Sequence, residues 1–189
     1  MVELTYTKIL DVPGLYYLDD IKENTYDIIT NLDKLEWKAI TPSKNSRKVQ
    51  HYGYKYDYKT SNIYAKADDI PDFLLKLKKK LTQICLKLNI IDKSYEFNQC
   101  IINNYNSGQG ISAHIDNLKY GKVIGCFSVG CDAKMKFSQN DKTKDIIVNN
   151  NSVYIMSDDA RYKWKHSMIG SKKNERRISI TFRNVKITK

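Results

Sequence analysis

The sequence predicts an α+β protein in which two N-terminal helices back a double-stranded β-helix (jelly-roll) barrel. Apolar residues recur at helical spacing in two early segments. Short β-type runs separated by Gly, Asn and Asp fill the chain from residue 97 onward, and no internal repeat or long linker divides it. A length of 189 residues suits one domain, 1–189, with one sizeable core, and 41% hydrophobic residues argues against wholesale disorder.

The elements follow in order. Residues 20–34 place Ile21, Ile28, Ile29, Leu32 and Leu35 near helical spacing behind Asp19 and Asp20, the pattern of a capped helix. Leu74, Leu77, Leu81, Ile84 and Leu88 advance by threes and fours, while Lys76, Lys79, Lys80 and Lys87 take other faces. Asp69 and Pro71 start this second helix and Asn89 stops it; its LKLKKKL run at 75–81 is a solvated face. Between the helices, residues 42–66 are rich in Lys, Tyr and Asn around RKVQHYGYKYDY, which reads as a strand pair or flap outside the main core. The later strands are FNQCIINNY, KVIGCFSVG, AKMKFS, DIIV, SVYIMS and RRISITFRNV.

Charge and cysteine usage narrow the partners. Lys and Arg total 32 against 21 Asp and Glu, a net charge of +11 that favours a polyanion such as nucleic acid, although a plain solvated basic surface would look the same. The four cysteines show no CxxC spacing, and Cys85, Cys100 and Cys126 lie in apolar or amphipathic runs, as reduced core thiols do. No apolar run approaches the roughly 18 residues that span a bilayer. With no signal peptide and no Gly after Met1, the expectation is an intracellular, cytoplasmic monomer without a membrane partner.

Two of the three histidines fall in an informative pattern. His114 and Asp116 are two apart, so in extended chain both side chains leave one face and can pinch one ion. His166 follows several strands later, placed to complete the set from across a barrel. Two imidazoles and a carboxylate on one face of an octahedral ion leave three positions open, the facial triad of non-haem Fe(II) oxygenases. Alone, His-x-Asp is a weak signal and more often a satisfied surface pair. The C-terminal strand changes that balance. RISITFR alternates, so Arg177, Ser179, Thr181 and Arg183 share a face opposite Ile178, Ile180 and Phe182. Two inward arginines need an anion, and a dicarboxylate such as 2-oxoglutarate suits the guanidinium fork; without the triad, the same pattern reads first as an amphipathic edge strand with its arginines in water. Asn103 and Tyr105 share a face just ahead of the pair and offer further hydrogen bonds.

These segments resemble the AlkB family of Fe(II)- and 2-oxoglutarate-dependent dioxygenases. NNYNSGQGISAHID resembles its N-x-Y…H-x-D segment, SVYIMSDDARYKWKH its distal-histidine segment and RRISITFR its paired-arginine strand. The resemblance covers roughly Gly14 to Lys186 and is strongest to the oxygenase domain of the tRNA wobble-uridine hydroxylase branch. It implies that His114, Asp116 and His166 ligate iron and that Arg177 and Tyr105 hold the distal carboxylate of 2-oxoglutarate. Asn103 and Arg183 would serve its metal-proximal end or orient Asp116. It also implies chemistry in which decarboxylation of the co-substrate with O2 drives hydroxylation of a C–H bond, with N-demethylation where that carbon is bound to nitrogen. The RNA-recognition module and methyltransferase domain of the tRNA enzymes do not fit within these 189 residues, which leaves the substrate open.

On the substrate side, Tyr52, Tyr54, Tyr56 and Tyr58 alternate along one run, with Lys48, Lys55 and Lys59 interleaved and Arg47 leading in. Aromatics among cations suit base stacking with phosphate neutralisation, and the family places a nucleotide-recognition lid over 42–66. The same row suits the half-buried face of a structural hairpin. Arg161 and Trp164 flank His166 as candidate contacts to a target base, although Trp164 equally suits a core. RNA, tRNA above all, is the favoured partner, with DNA possible. Hydroxylation or demethylation of protein side chains such as methyl-lysine is the alternative.

Overall fold

The structure is a computed structural model that describes residues 7–9, 11–43, 45–170 and 175–186. Strands β1 (Thr7–Lys8) and β2 (Leu15–Leu18) precede helix α1 (Thr25–Asp33), followed by β3 (Lys38–Ala39), β4 (Lys48–Tyr52), β5 (Tyr54–Asp57) and β6 (Asn62–Lys66). After helix α2 (Asp72–Lys87) come β7 (Gln99–Tyr105), β8 (Ile111–His114), β9 (Tyr120–Gly130), β10 (Ala133–Gln139), β11 (Lys142–Val148) and β12 (Ser152–Met156). Short helix α3 (Asp158–Tyr162), β13 (Lys165–Met168) and β14 (Arg177–Val185) end the order. A major sheet runs β1-β2-β12-β9-β14-β7-β4-β3, a minor sheet runs β11-β10-β13-β8, and β5 pairs with β6 apart from both. The helix-backed jelly-roll expectation holds.

Period-two alternation sorts the major sheet into two faces. Val123, Phe127 and Val129 of β9 with Ile178, Ile180 and Phe182 of β14 face the helices, meeting Leu74, Leu77 and Leu81 of α2 and Leu32 of α1. Each of those leucines is fully buried and contributes about 1.5–3 kcal/mol. Gly125 faces the same way because a Cβ there would come within 2.3 Å of Leu81 Cδ1, so α2 packs directly on the β9 backbone. The opposite face carries Ile124, Cys126, Tyr105, Tyr154 and Met156 against Met135, Phe137 and Met168 of the minor sheet. Polar residues on that inner face are therefore enclosed between sheets.

The first helix starts later than the sequence pattern suggests. Asp20 and Lys22 adopt positive φ, which a helix cannot accommodate, and Asn24 is the cap, accepting from the Asp27 amide at 3.3 Å. Ile21 remains fully buried but outside the helix. Asn89 stops α2 as expected, at φ 55 just beyond it. The stretch 42–66 is not wholly a flap. β4 joins the major sheet beside β7, with Val49 opposite Asn103 and His51 opposite Ile101, and only β5 and β6 stand apart. Gly53, at φ +75 with no room for a Cβ against the Asn98 carbonyl, breaks the tyrosine row between the two parts. Among the described residues, no helix is long and apolar enough to cross a membrane.

Candidate active site

Antiparallel pairing of β8 with β13 places His166 directly opposite His114, with ring centroids 4.3 Å apart. Asp116 lies two residues beyond the end of β8. One ligand atom from each of the three residues falls within 4.8 Å of the other two. The Ser112 carbonyl can only accept, so His114 Nδ1 donates in their 2.8 Å hydrogen bond and Nε2 is the ring nitrogen left to ligate a metal. Burial lowers the pKa of His166 to about 4 against the pull of Asp116, so it is a neutral imidazole at neutral pH.

Asp116 is 8% exposed and ionised. Burial alone would raise its pKa, but Arg183, then His166, His114 and Arg161, hold it well below the usual carboxylate range. Its Oδ1 accepts from Arg183 Nε at 3.1 Å and from Nη2 at 2.8 Å. Its Oδ2 accepts no hydrogen bond and lies 3.5 Å from His166 Nε2. A buried charged oxygen beside two imidazoles, with no partner of its own, fits a divalent metal.

Next to this donor set, a cavity of about 40 Å³ is lined by Asn103, Tyr105, Arg177, Ser179, Thr181 and Arg183 together with the triad. Arg177 is buried, donates Nε to Ser128 Oγ at 2.9 Å, and leaves Nη2 without a partner. Among the described residues it meets no carboxylate. An unneutralised buried guanidinium is costly, and an anionic ligand would resolve it. Tyr105 lies with its ring 5.8 Å from Arg177 Cζ. Asn103 donates Nδ2 to Ser179 Oγ at 3.4 Å and accepts from Arg47 Nε at 3.0 Å.

Three substrate-side expectations are corrected by burial. Arg161 is 1% exposed and donates to the backbone carbonyls of Asp116, Asn117, Tyr120 and Gly121, so it holds the loop that carries Asp116 and cannot reach a base. Trp164 is 3% exposed in the core between the sheets. Tyr52 points to the helix side, where its hydroxyl donates to Gln50 Oε1. Tyr54 and Tyr56 stay on β5, packed at the rim of the inner core, and the Tyr56 ring lies tilted against Tyr120 with centroids 6.2 Å apart. Tyr120 in turn lies 4.8 Å from Arg183 Cζ. The tip of the β5–β6 hairpin is tied to the loop after Asp116: Asn117 Nδ2 donates to the Ser61 carbonyl at 2.6 Å and Lys119 Nζ to Asn62 Oδ1 at 2.7 Å.

Ser128, Tyr120 and Asn117 escaped the sequence reading. Only Ser128 left a signal, as the one serine of β9, at a position in step with Ile124 and Cys126.

Comparison with known proteins agrees with this geometry. A model of the 2OG-Fe(II) oxygenase superfamily matches residues 22–183. "Uncharacterized protein L905" of Acanthamoeba polyphaga mimivirus is 33% identical over 172 residues, covering 84% of this chain and 77% of the relative. The tRNA (carboxymethyluridine(34)-5-O)-methyltransferase alkbh8 of Xenopus tropicalis is 29% identical over 164 residues, 82% of this chain but only 25% of the relative. The chain thus spans about a quarter of that protein's length. The DNA N6-methyl adenine demethylase of Caenorhabditis elegans is 23% identical over 183 residues, 92% of this chain and 60% of the relative. The solved structure of OsALKBH1 shares the fold with a TM-score of 0.73 at 18% identity, covering 96% of this chain and all of that one.

Proposed function

This chain belongs to the 2OG-Fe(II) oxygenase superfamily as an AlkB-like dioxygenase that uses Fe(II), 2-oxoglutarate and O2, and from that premise we propose that it demethylates or hydroxylates a nucleic-acid base, in RNA, and tRNA above all, before DNA. His114, Asp116 and His166 hold the iron. Arg177 and Tyr105 take the distal carboxylate of the co-substrate, with Ser128 fixing Arg177 beforehand. Arg183 orients Asp116 so that Oδ2 is the oxygen left for the metal, and Asn103 serves the near end of the cavity. When bound, the iron with 2-oxoglutarate and O2 supplies oxidation of a C–H bond. The protein's share is to orient, to exclude water and to admit the base.

One observation carries the substrate reading: a hairpin bearing Tyr54, Tyr56, Lys55 and Lys66 is hydrogen-bonded through its tip to the loop of Asp116, on a chain of net charge +11. Aromatics and cations bound that close to the metal loop suit a base held by stacking with its phosphate neutralised. The lid is then residues 54–66, narrower than the sequence alone suggests, within one domain of 1–189. The names of the tRNA and DNA relatives point the same way. The test is incubation with Fe(II), 2-oxoglutarate and either total tRNA, methylated oligonucleotides or methyl-lysine peptides, followed by mass spectrometry. Substrate-dependent succinate with an altered nucleoside is the expected result. Turnover on peptides alone would overturn it.

A further inference from the structure

Beyond Arg177 and Arg183, which line the cavity beside the triad, a further cation that the sequence assigns to the lid bonds to the lining residue Asn103. Arg47 sits one residue before β4 and is half-buried. Its Nε bonds to Asn103, its guanidinium carbon lies 5.9 Å from the Tyr105 ring centre, and the same carbon lies 5.6 Å from the ring of Tyr58. Arg177 approaches that Tyr105 ring to 5.8 Å. Neither arginine meets a carboxylate among the described residues, whereas Arg183 is already neutralised by Asp116. Neither terminal nitrogen of Arg47 has a hydrogen-bond partner there either. Two uncompensated guanidinium groups around one buried phenol repel each other until an anion joins them, and a dicarboxylate brings two charges.

Contacts continue from Arg47 into the lid. The Tyr56 amide donates to His51 Nδ1 at 3.3 Å, so the ring proton is on Nε2, which donates to the Tyr58 hydroxyl at 3.1 Å. The Tyr58 ring meets Tyr56 edge-on at 5.1 Å. The segment that carries Arg47 is pinned over Tyr105, because Gln109 Nε2 donates to the Asn45 carbonyl at 3.1 Å while its Oε1 accepts from the Asn106 amide at 2.9 Å. We propose that Arg47 is a second co-substrate-binding cation, and that its guanidinium joins the dicarboxylate cavity to the lid. Filling the cavity then fixes the Tyr58–His51–Tyr56 side of the hairpin before any nucleic acid arrives. The inference rests on the reading that the Arg177 cavity takes 2-oxoglutarate.

The test titrates anaerobic Fe(II)-loaded protein with 2-oxoglutarate by calorimetry and follows hydrogen–deuterium exchange of 54–66 on the same samples. In the wild type the ligand should slow exchange across the hairpin. R47Q should weaken 2-oxoglutarate binding by about tenfold or more and abolish that protection even at saturation. R47K, which keeps the charge without the planar fork, should retain part of the affinity but not the protection. Unchanged affinity in R47Q, or protection that survives in it at saturation, overturns the inference. R177Q separates the two readings. If it binds 2-oxoglutarate normally, the cavity assignment fails; if it binds weakly while R47Q is unaffected, only the Arg47 inference fails.

Discussion

Replacing Arg183 with Met should destabilise the metal-free protein far more than the loss of one polar surface contact would. The substitution removes both hydrogen bonds to Asp116 Oδ1, at 3.1 and 2.8 Å, and its other oxygen already has none. What remains is an ionised carboxylate, 8% exposed, beside a neutral imidazole. Breaking one side of a buried pair costs roughly 3–5 kcal/mol. At about 2–4 °C per kcal/mol for a chain of this size, melting should fall by about 6–20 °C. Removing both charges in D116N/R183M should recover most of that loss, since a well-packed neutral pair is nearly as stable as the ionic one. Mn(II) should raise the melting temperature more in R183M than in the wild type, because the ion replaces the hydrogen bonds that the Asp116 carboxylate has lost. Calorimetric scans with chelator and with Mn(II) read all three quantities. A chelated R183M that melts within about 2 °C of wild type, or a double variant no better than the single one, would refute the reasoning.

Arg161→Lys keeps the charge but has three donors for four carbonyls, so it should loosen the 116–121 loop. It should weaken Mn(II) binding severalfold while 2-oxoglutarate affinity at saturating metal changes little; equal Mn(II) affinity in the two proteins would count against this. The pH response follows from His51 and His166, both lowered by burial from 6.5 to about 4. The unfolded chain takes up those protons first, so folding stability is full above about 6.5 and drains away as pH falls toward about 4. Urea midpoints of metal-free protein at stepped pH should show that decline, and His51→Gln should flatten it. A profile just as steep in the variant would remove His51 from the account.

Much of the site was legible because strands impose a period of two. The alternation of Arg177, Ser179, Thr181 and Arg183 against Ile178, Ile180 and Phe182 survives intact in β14, which is buried on both faces. The two-residue spacing of His114 and Asp116 likewise survived, even though the strand ends at His114, because a single loop residue still brings the carboxylate back beside the imidazoles of His114 and His166. The α2 pattern held because Leu74, Leu77, Leu81 and Ile84 form one continuous buried stripe. By contrast, the apolar pattern over 20–34 runs past the start of α1, because Ile21 belongs to the same core without belonging to the helix.

The substrate-side residues depart from their sequence pattern for a different reason. Periodicity reports which face a residue occupies, not which surface lies opposite, and RKVQHYGYKYDY contains a break that periodicity passes over. Gly53 turns the chain, so four tyrosines in one sequence row go to three environments: the helix-side core, the rim of the barrel and the contact with His51. Arg161 and Trp164 flank His166 in sequence, yet β13 begins only after them, and the turn of α3 carries both inward. There Arg161 spends its donors on four carbonyls of the loop that holds Asp116. The residue marked out by nearness to His166 thus bonds to the loop of Asp116, and the one assigned to the lid, Arg47, bonds instead to Asn103, which lines the cavity beside the triad. Both displacements arise from long side chains crossing between elements, a distance that spacing along the chain does not encode.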